Sequence, residues 1–144
     1  MLKKGSTILS KKLFILTIGG GVVFWVTTIA ISLLPIAAEY RSAFSKANIQ
    51  TVWVASLPAG LIIGCCVSYF LLRFFEKIPT QNPILKALIL SFVAMLMIEV
   101  LSTLVNPSNA YVYLLIDTGM NVPRFLALGI VIGYLYDRLN GRAR

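Results

Sequence analysis

Two stretches of this chain, Leu13 to Ala38 and Ala47 to Leu72, contain no charged residue, and nothing else in the sequence restricts the fold as strongly. A hydrocarbon core about 30 Å thick is crossed by roughly 20 apolar residues in a helix, and both runs are long enough. Two further apolar regions follow, interrupted by single charges at Glu99 and Arg124. Of the 144 residues, 58% are hydrophobic and 12% charged, which leaves no stretch suited to a separate water-soluble domain. The expected fold is all-α: a polytopic membrane helical bundle forming a single transmembrane domain. Its four or so spans fall at 13–36, 52–72, 84–105 and 118–137.

The formal net charge of +8 raises the question of nucleic acid. The basic residues, however, sit at the ends of apolar segments and form no patch interleaved with aromatics, so no nucleic-acid partner is expected. Their distribution is a topology signal. Lys3, Lys4, Lys11, Lys12, Arg73, Lys77, Lys86, Arg138, Arg142 and Arg144 fall on one side of the expected membrane, and Arg41, Lys46 and Arg124 on the other. The positive-inside rule makes the first group cytoplasmic, giving N-in and C-in. A basic start before an apolar run also describes a signal peptide, but this run is too long for the usual apolar region of one, and the first span is expected to stay.

Small residues mark the expected helix contacts. Gly19, Gly20 and Gly21 weaken a helix in water but admit a second backbone in lipid. Ser56, Gly60, Gly64 and Ser68 recur every four residues and line one helix face, and Gly129 and Gly133 repeat the spacing in the last span. The two stripes are expected to serve packing within the chain, with docking to another subunit as the alternative, and they can pack on each other. Trp25, in mid-span, is expected to face the bundle and find a partner for its N–H. Pro35 is read as a kink near the outer end of the first span. Residues 39–51 form the first external connection, with Tyr40 and Phe44 as interface anchors, and Trp53 marks the start of the second span. Asn82 and Pro83 carry the signature of an N-cap and first-turn residue, and Asn106-Pro107-Ser108-Asn109 that of a turn.

The last region is the hardest to divide. Between Arg124 and Asp137 lie too few residues to cross a bilayer, so the helix must begin earlier and carry Arg124 within it. The expected span is 118–137, with Tyr111 to Ile116 resting at the interface; the alternative is one longer helix from Tyr111, kinked around Gly119 and Pro123.

Adjacent Cys65 and Cys66 close no useful loop and are read as small packing residues. The chain has no histidine, which removes the commonest metal ligand and general base. No metal, cofactor or catalytic residue is expected. Ser102, Thr103 and Glu99 are near one another in sequence, but they do not make a nucleophile–base set.

One polar constellation remains. Ionisable groups inside membrane spans cost about 2.5–3.5 kcal/mol each on insertion scales and are functional candidates by default. Glu99 and Arg124 reach similar depth on helices that run in opposite directions. Asp117, Asn121 and Arg124 share one helix face at i, i+4 and i+7. Together they form an expected intramembrane polar network: either a Glu99–Arg124 pair that sets helix register or a site for a ligand, ion or proton. Pro123 is expected to free a carbonyl for it.

Two functions follow as expectations. The first is a non-enzymatic accessory, assembly or stabilising subunit of a membrane complex, acting through helix packing. The second is a small oligomeric transporter or proton-coupled exchanger using Glu99. Size and a lone membrane glutamate are similar to those of the small multidrug-resistance transporters. Here, however, the carboxylate is on the third span and the first span is uncharged, so no site is carried across. The expected partners are the lipid bilayer and either copies of the chain or a larger membrane complex. The expected location is the plasma (inner) membrane of a bacterium or archaeon, with an organellar membrane as the alternative.

Overall fold

A computed structural model describes residues 2–44, 48–105 and 110–141. The turn at Asn106–Asn109, together with Lys46, Arg142 and Arg144, lies outside the described residues, as do the side chains of Lys3, Lys4 and Phe44. The described residues fold into five helices: α1 (Leu2–Ser32), α2 (Pro35–Phe44), α3 (Ile49–Phe74), α4 (Pro83–Val105) and α5 (Ala110–Gly141). Four of them, all but α2, are long and apolar enough to cross a membrane.

The helix boundaries have local causes. α1 stops at Ser32 because Pro35 has no N–H to continue the ladder. A tight bend, Leu34 N–H to Ile31 O at 3.0 Å, closes its end. Pro35 then occupies the first position of α2, where its missing donor costs nothing. The expected kink in the first span is thus a helix break, and of the connection read at 39–51 residues 39–44 belong to the short helix α2 and 49–51 to the start of α3. A 3-10 turn, Phe75–Lys77, ends α3, and the Asn82 side chain accepts from Ile84 N–H at 2.9 Å to start α4. α3 continues through Pro58, whose lost hydrogen bond a helix within the bilayer tolerates.

The expected division of the last region is corrected. Residues 110–141 form one helix, so the separate interfacial segment at 111–116 does not exist and the longer-helix alternative holds. One helix satisfies nearly all of its backbone groups internally, the Gly119 carbonyl opposite Pro123 apart, whereas a break within the hydrocarbon would expose several.

The helices pack in the lateral order α3–α1–α5–α4, with α3 and α4 touching more lightly. Neighbours along the row run antiparallel. Lys12 Nζ donates to Asn140 Oδ1 at 2.5 Å at one end of the α1–α5 seam. Phe24 meets Phe125 edge-to-face at 5.4 Å in its middle, and Ile31 clusters with Met120 near the other end. The core between the helices is built from Leu16, Phe24, Val67, Leu71, Met95, Phe125, Leu128 and Ile132. Outward-facing positions such as Phe14, Val54, Ile62, Leu104 and Val105 are large, apolar and exposed. That is the surface a lipid-solvated bundle presents, and one a soluble monomer avoids.

Both small-residue stripes are occupied inside the chain, but not by each other. Gly60 and Gly64 lie against α1, where an added Cβ would stand 3.0 Å from Gly21 O and 3.1 Å from Thr17 O respectively. Gly129 lies against Leu88 of α4, and Gly133 directly against the Ile84 backbone. Each stripe therefore serves a different seam, and the idea that they pack together is corrected.

Candidate functional site

The bundle has two unlike ends. At the end carrying the chain termini, Lys86 is only 4% exposed. It donates to Phe75 O, and its ammonium sits 3.7 Å from the centre of the Phe75 ring, which stacks on Tyr136 at 4.5 Å. A cation at the C-terminus of α3 satisfies one of that helix's orphan carbonyls and opposes its dipole. The sequence marked Lys86 only as a flanking charge. Nothing in its spacing reveals that the α3–α4 turn folds back over it.

The opposite end, covered by α2, holds the expected polar network. Glu99 of α4 is 2% exposed and Asn121 of α5 is 7% exposed. Asn121 Nδ2 donates to Glu99 Oε1 at 2.6 Å, and Arg124 Nη1 donates to Asn121 Oδ1 at 2.8 Å. Asn121 therefore stands between the two charges. Among the described residues Arg124 has no direct ion pair, so the expected Glu99–Arg124 pair is replaced by a relay through an amide. The geometry of α5 explains this, because the side chain at 121 reaches α4 at the level of Glu99 while 124 lies nearly a turn further along.

Two atoms of the relay, Glu99 Oε2 and Arg124 Nε, are sealed from solvent and have no hydrogen-bond partner of the ordinary donor–acceptor kind. Asp117, one turn before Asn121 on the same face of α5, brings a second carboxyl to the side of the helix that meets Glu99. Tyr40 of α2, its hydroxyl also buried, lies within electrostatic range of Arg124. Sequence analysis treated Tyr40 as an interface anchor. Its place in the site depends on α2 folding back towards α5, and no pattern in the chain encodes that.

Pro123 does not serve the network. Pro123 and Gly119, the residue whose carbonyl it deprives of a donor, are both exposed, and a Cβ at Gly119 would meet nothing within 4 Å. Both sit on the face of α5 opposite Asp117, Asn121 and Arg124.

The α1–α3 seam at the α2 end carries a neutral clasp. Trp25 Nε1 donates to Trp53 O at 2.9 Å, which is the partner expected for the mid-span indole. Trp53 Nε1 donates to Ser32 Oγ at 2.7 Å; outside this clasp, the charged Arg41 of α2 donates from Nη1 to Ser32 O at 2.9 Å and ties α2 to the end of α1. A shallow, almost wholly apolar cleft of about 500 Å³ beside Trp25, Gln50, Trp53, Val54 and Leu57 involves no residue of the relay. Cys65 and Cys66 are both free thiols. Among the described residues no group of three or more His, Cys, Asp or Glu side chains is arranged to hold a metal ion.

The chain matches no known protein family, no characterised protein and no solved structure. Its four apolar helices define its class, a multi-pass helical membrane protein.

Proposed function

We propose that the protein is a small ion-coupled exchanger whose working group is Glu99, the second of the two functions expected from the sequence. The observation that carries this reading is the relay itself. A carboxylate sealed in the bundle has one oxygen held by Asn121 and the other without a donor. A purely structural pair is best served by direct contact, because mutual neutralisation lowers the cost of two charges in lipid. Interposing Asn121 leaves Glu99 able to take and release a positive charge. The accessory-subunit reading, by contrast, loses its docking candidates, since Gly60, Gly64, Gly129 and Gly133 are covered within the chain.

Lys11, Lys12, Arg73, Lys77, Lys86 and Arg138 gather at the terminal end. The positive-inside rule assigns that end to the cytoplasm, so the relay lies in the outer half of the bilayer of a plasma membrane.

The test is exchange in reconstituted vesicles under an imposed pH gradient. Glu99→Gln keeps the shape and abolishes exchange while expression and melting temperature hold. If instead Glu99→Gln lowers stability, with partial rescue when Arg124 is also neutralised, the relay is a structural device and the reading fails. Recovery of the chain in a discrete assembly with other proteins after gentle detergent extraction would restore the accessory-subunit reading.

A further inference from the structure

The charge count of the relay points to what it carries. Asp117 lies one turn from Asn121 on the face of α5 that meets Glu99, with Arg124 joined to the same amide and Tyr40 of α2 packed beside Met120. With both carboxyls ionised and the guanidinium charged, the cluster holds one uncompensated negative charge. Glu99 and Asn121 are buried and Asp117 and Arg124 half-buried, and an unpaired charge there is costly. Among the described residues of the neighbouring helices no other titratable side chain is placed against it. The parts of α1 and α3 at this level, residues 20–32 and 49–60, contain none. On α2, Glu39 is exposed and Arg41 is engaged with Ser32 O.

We infer that Glu99 and Asp117 form a single-charge site that holds one proton between them and exchanges it for one small monovalent cation. This inference rests on the exchanger reading above and names its substrate class. The step balances: the cation enters against Glu99 Oε2 and the Asp117 carboxylate, the shared proton leaves to water, and the charge of the cluster does not change. Charge selects against divalent ions, which would leave the cluster with an excess positive charge. Burial selects for size, because a 2%-exposed carboxylate admits a bare inorganic ion more readily than an organic one. Oxygen donors suit such a hard cation.

The experiment is proton release from purified protein in detergent, in weak buffer near neutral pH, on titration with NaCl, LiCl, CaCl2 or choline chloride. Saturating Na⁺ or Li⁺ releases one proton per chain, and choline and Ca²⁺ release none. Glu99→Gln and Asp117→Asn each reduce the release to zero, because either leaves one carboxylate already balanced by Arg124. Arg124→Gln admits Ca²⁺, which then releases two protons per chain, while Na⁺ still releases one.

Should Arg124→Gln fail to fold, infrared spectroscopy of the wild type supplies the check. The carbonyl stretch of a protonated carboxyl is present in choline medium, is lost in saturating Na⁺, and is missing from Asp117→Asn. Undiminished release from Asp117→Asn overturns the inference. Absence of release from wild-type protein that still exchanges ions in vesicles overturns the single-charge site and leaves the exchanger standing. Release without exchange does the reverse.

Discussion

The α1–α3 and α4–α5 seams solve the same packing problem with different chemistry. Both are antiparallel, and both close through glycines that bring backbones into contact, Gly60 and Gly64 against α1 and Gly129 and Gly133 against α4. At the α2 end they diverge. The α1–α3 seam is fastened by neutral groups, the Trp25 and Trp53 indoles and Ser32, whereas the α4–α5 seam carries Glu99, Asn121 and Arg124. A neutral clasp therefore suffices to hold a seam of this bundle. Charge at the equivalent level of the other seam is an added cost that packing does not require, and this is why we assign it to function.

The largest expected effect tests what the seams share. Gly133→Leu drives a side chain into the Ile84 backbone, which cannot move without separating α4 from α5. The expected cost is about 3 kcal/mol, the upper range for overpacked cores, read as a lower melting temperature in detergent. Gly64→Leu should do the same to α1–α3. If either variant melts like wild type, that seam is not closed by its glycines.

Next comes the difference between the seams. Asn121→Leu strips Glu99 of its donor and Arg124 of its acceptor, and should cost about 2 kcal/mol, since buried groups beside charges are left unpaired. Combining it with Glu99→Ala should cost less than the sum of the single changes, because both remove the same bond. Additive costs would separate the two residues and dissolve the relay.

Trp53→Phe tests the neutral clasp. It keeps the ring but removes the bond to Ser32, at about 1 kcal/mol, within the range measured for hydrogen bonds between membrane helices. Exchange activity should be unchanged, and a loss of activity would mean that the two seams are not independent. The smallest effect is expected at Gly119→Ala, where a Cβ meets open space. Removing a mid-helix glycine there should stabilise by about 0.5–1 kcal/mol, and destabilisation would show that α5 needs flexibility beside Pro123.

Much of the fold was legible in the chain. The uncharged runs, the Asn82–Pro83 start and the glycine spacings located the helices, because hydropathy and local backbone chemistry act within a few residues. The misreadings were the boundaries around Pro35 and Gly119. At the first, a proline that reads as a kink is equally suited to begin a helix, and only the fold of α2 back towards α5 decides. At the second, counting back from Arg124 only as far as a bilayer requires stops the span short, and the helix runs on to Ala110. Asp117 is accommodated because it shares the inward face of α5 with the Arg124 guanidinium.

Of the candidate site, spacing along one helix was enough to group Asp117, Asn121 and Arg124 and to set Glu99 at their level. Which of them touch was not encoded in that spacing. Contact between α4 and α5 depends on their axial offset, fixed by the meeting of Gly133 with Ile84 and Gly129 with Leu88, and that offset put Asn121 rather than Arg124 opposite the carboxylate. Sequence alone thus determined a membrane bundle with charge in its interior, because solvation energy is a property of each segment. The tertiary structure decided that the charges are relayed and not paired, and that Tyr40 and Lys86 are enclosed, because these depend on how separate helices register against one another.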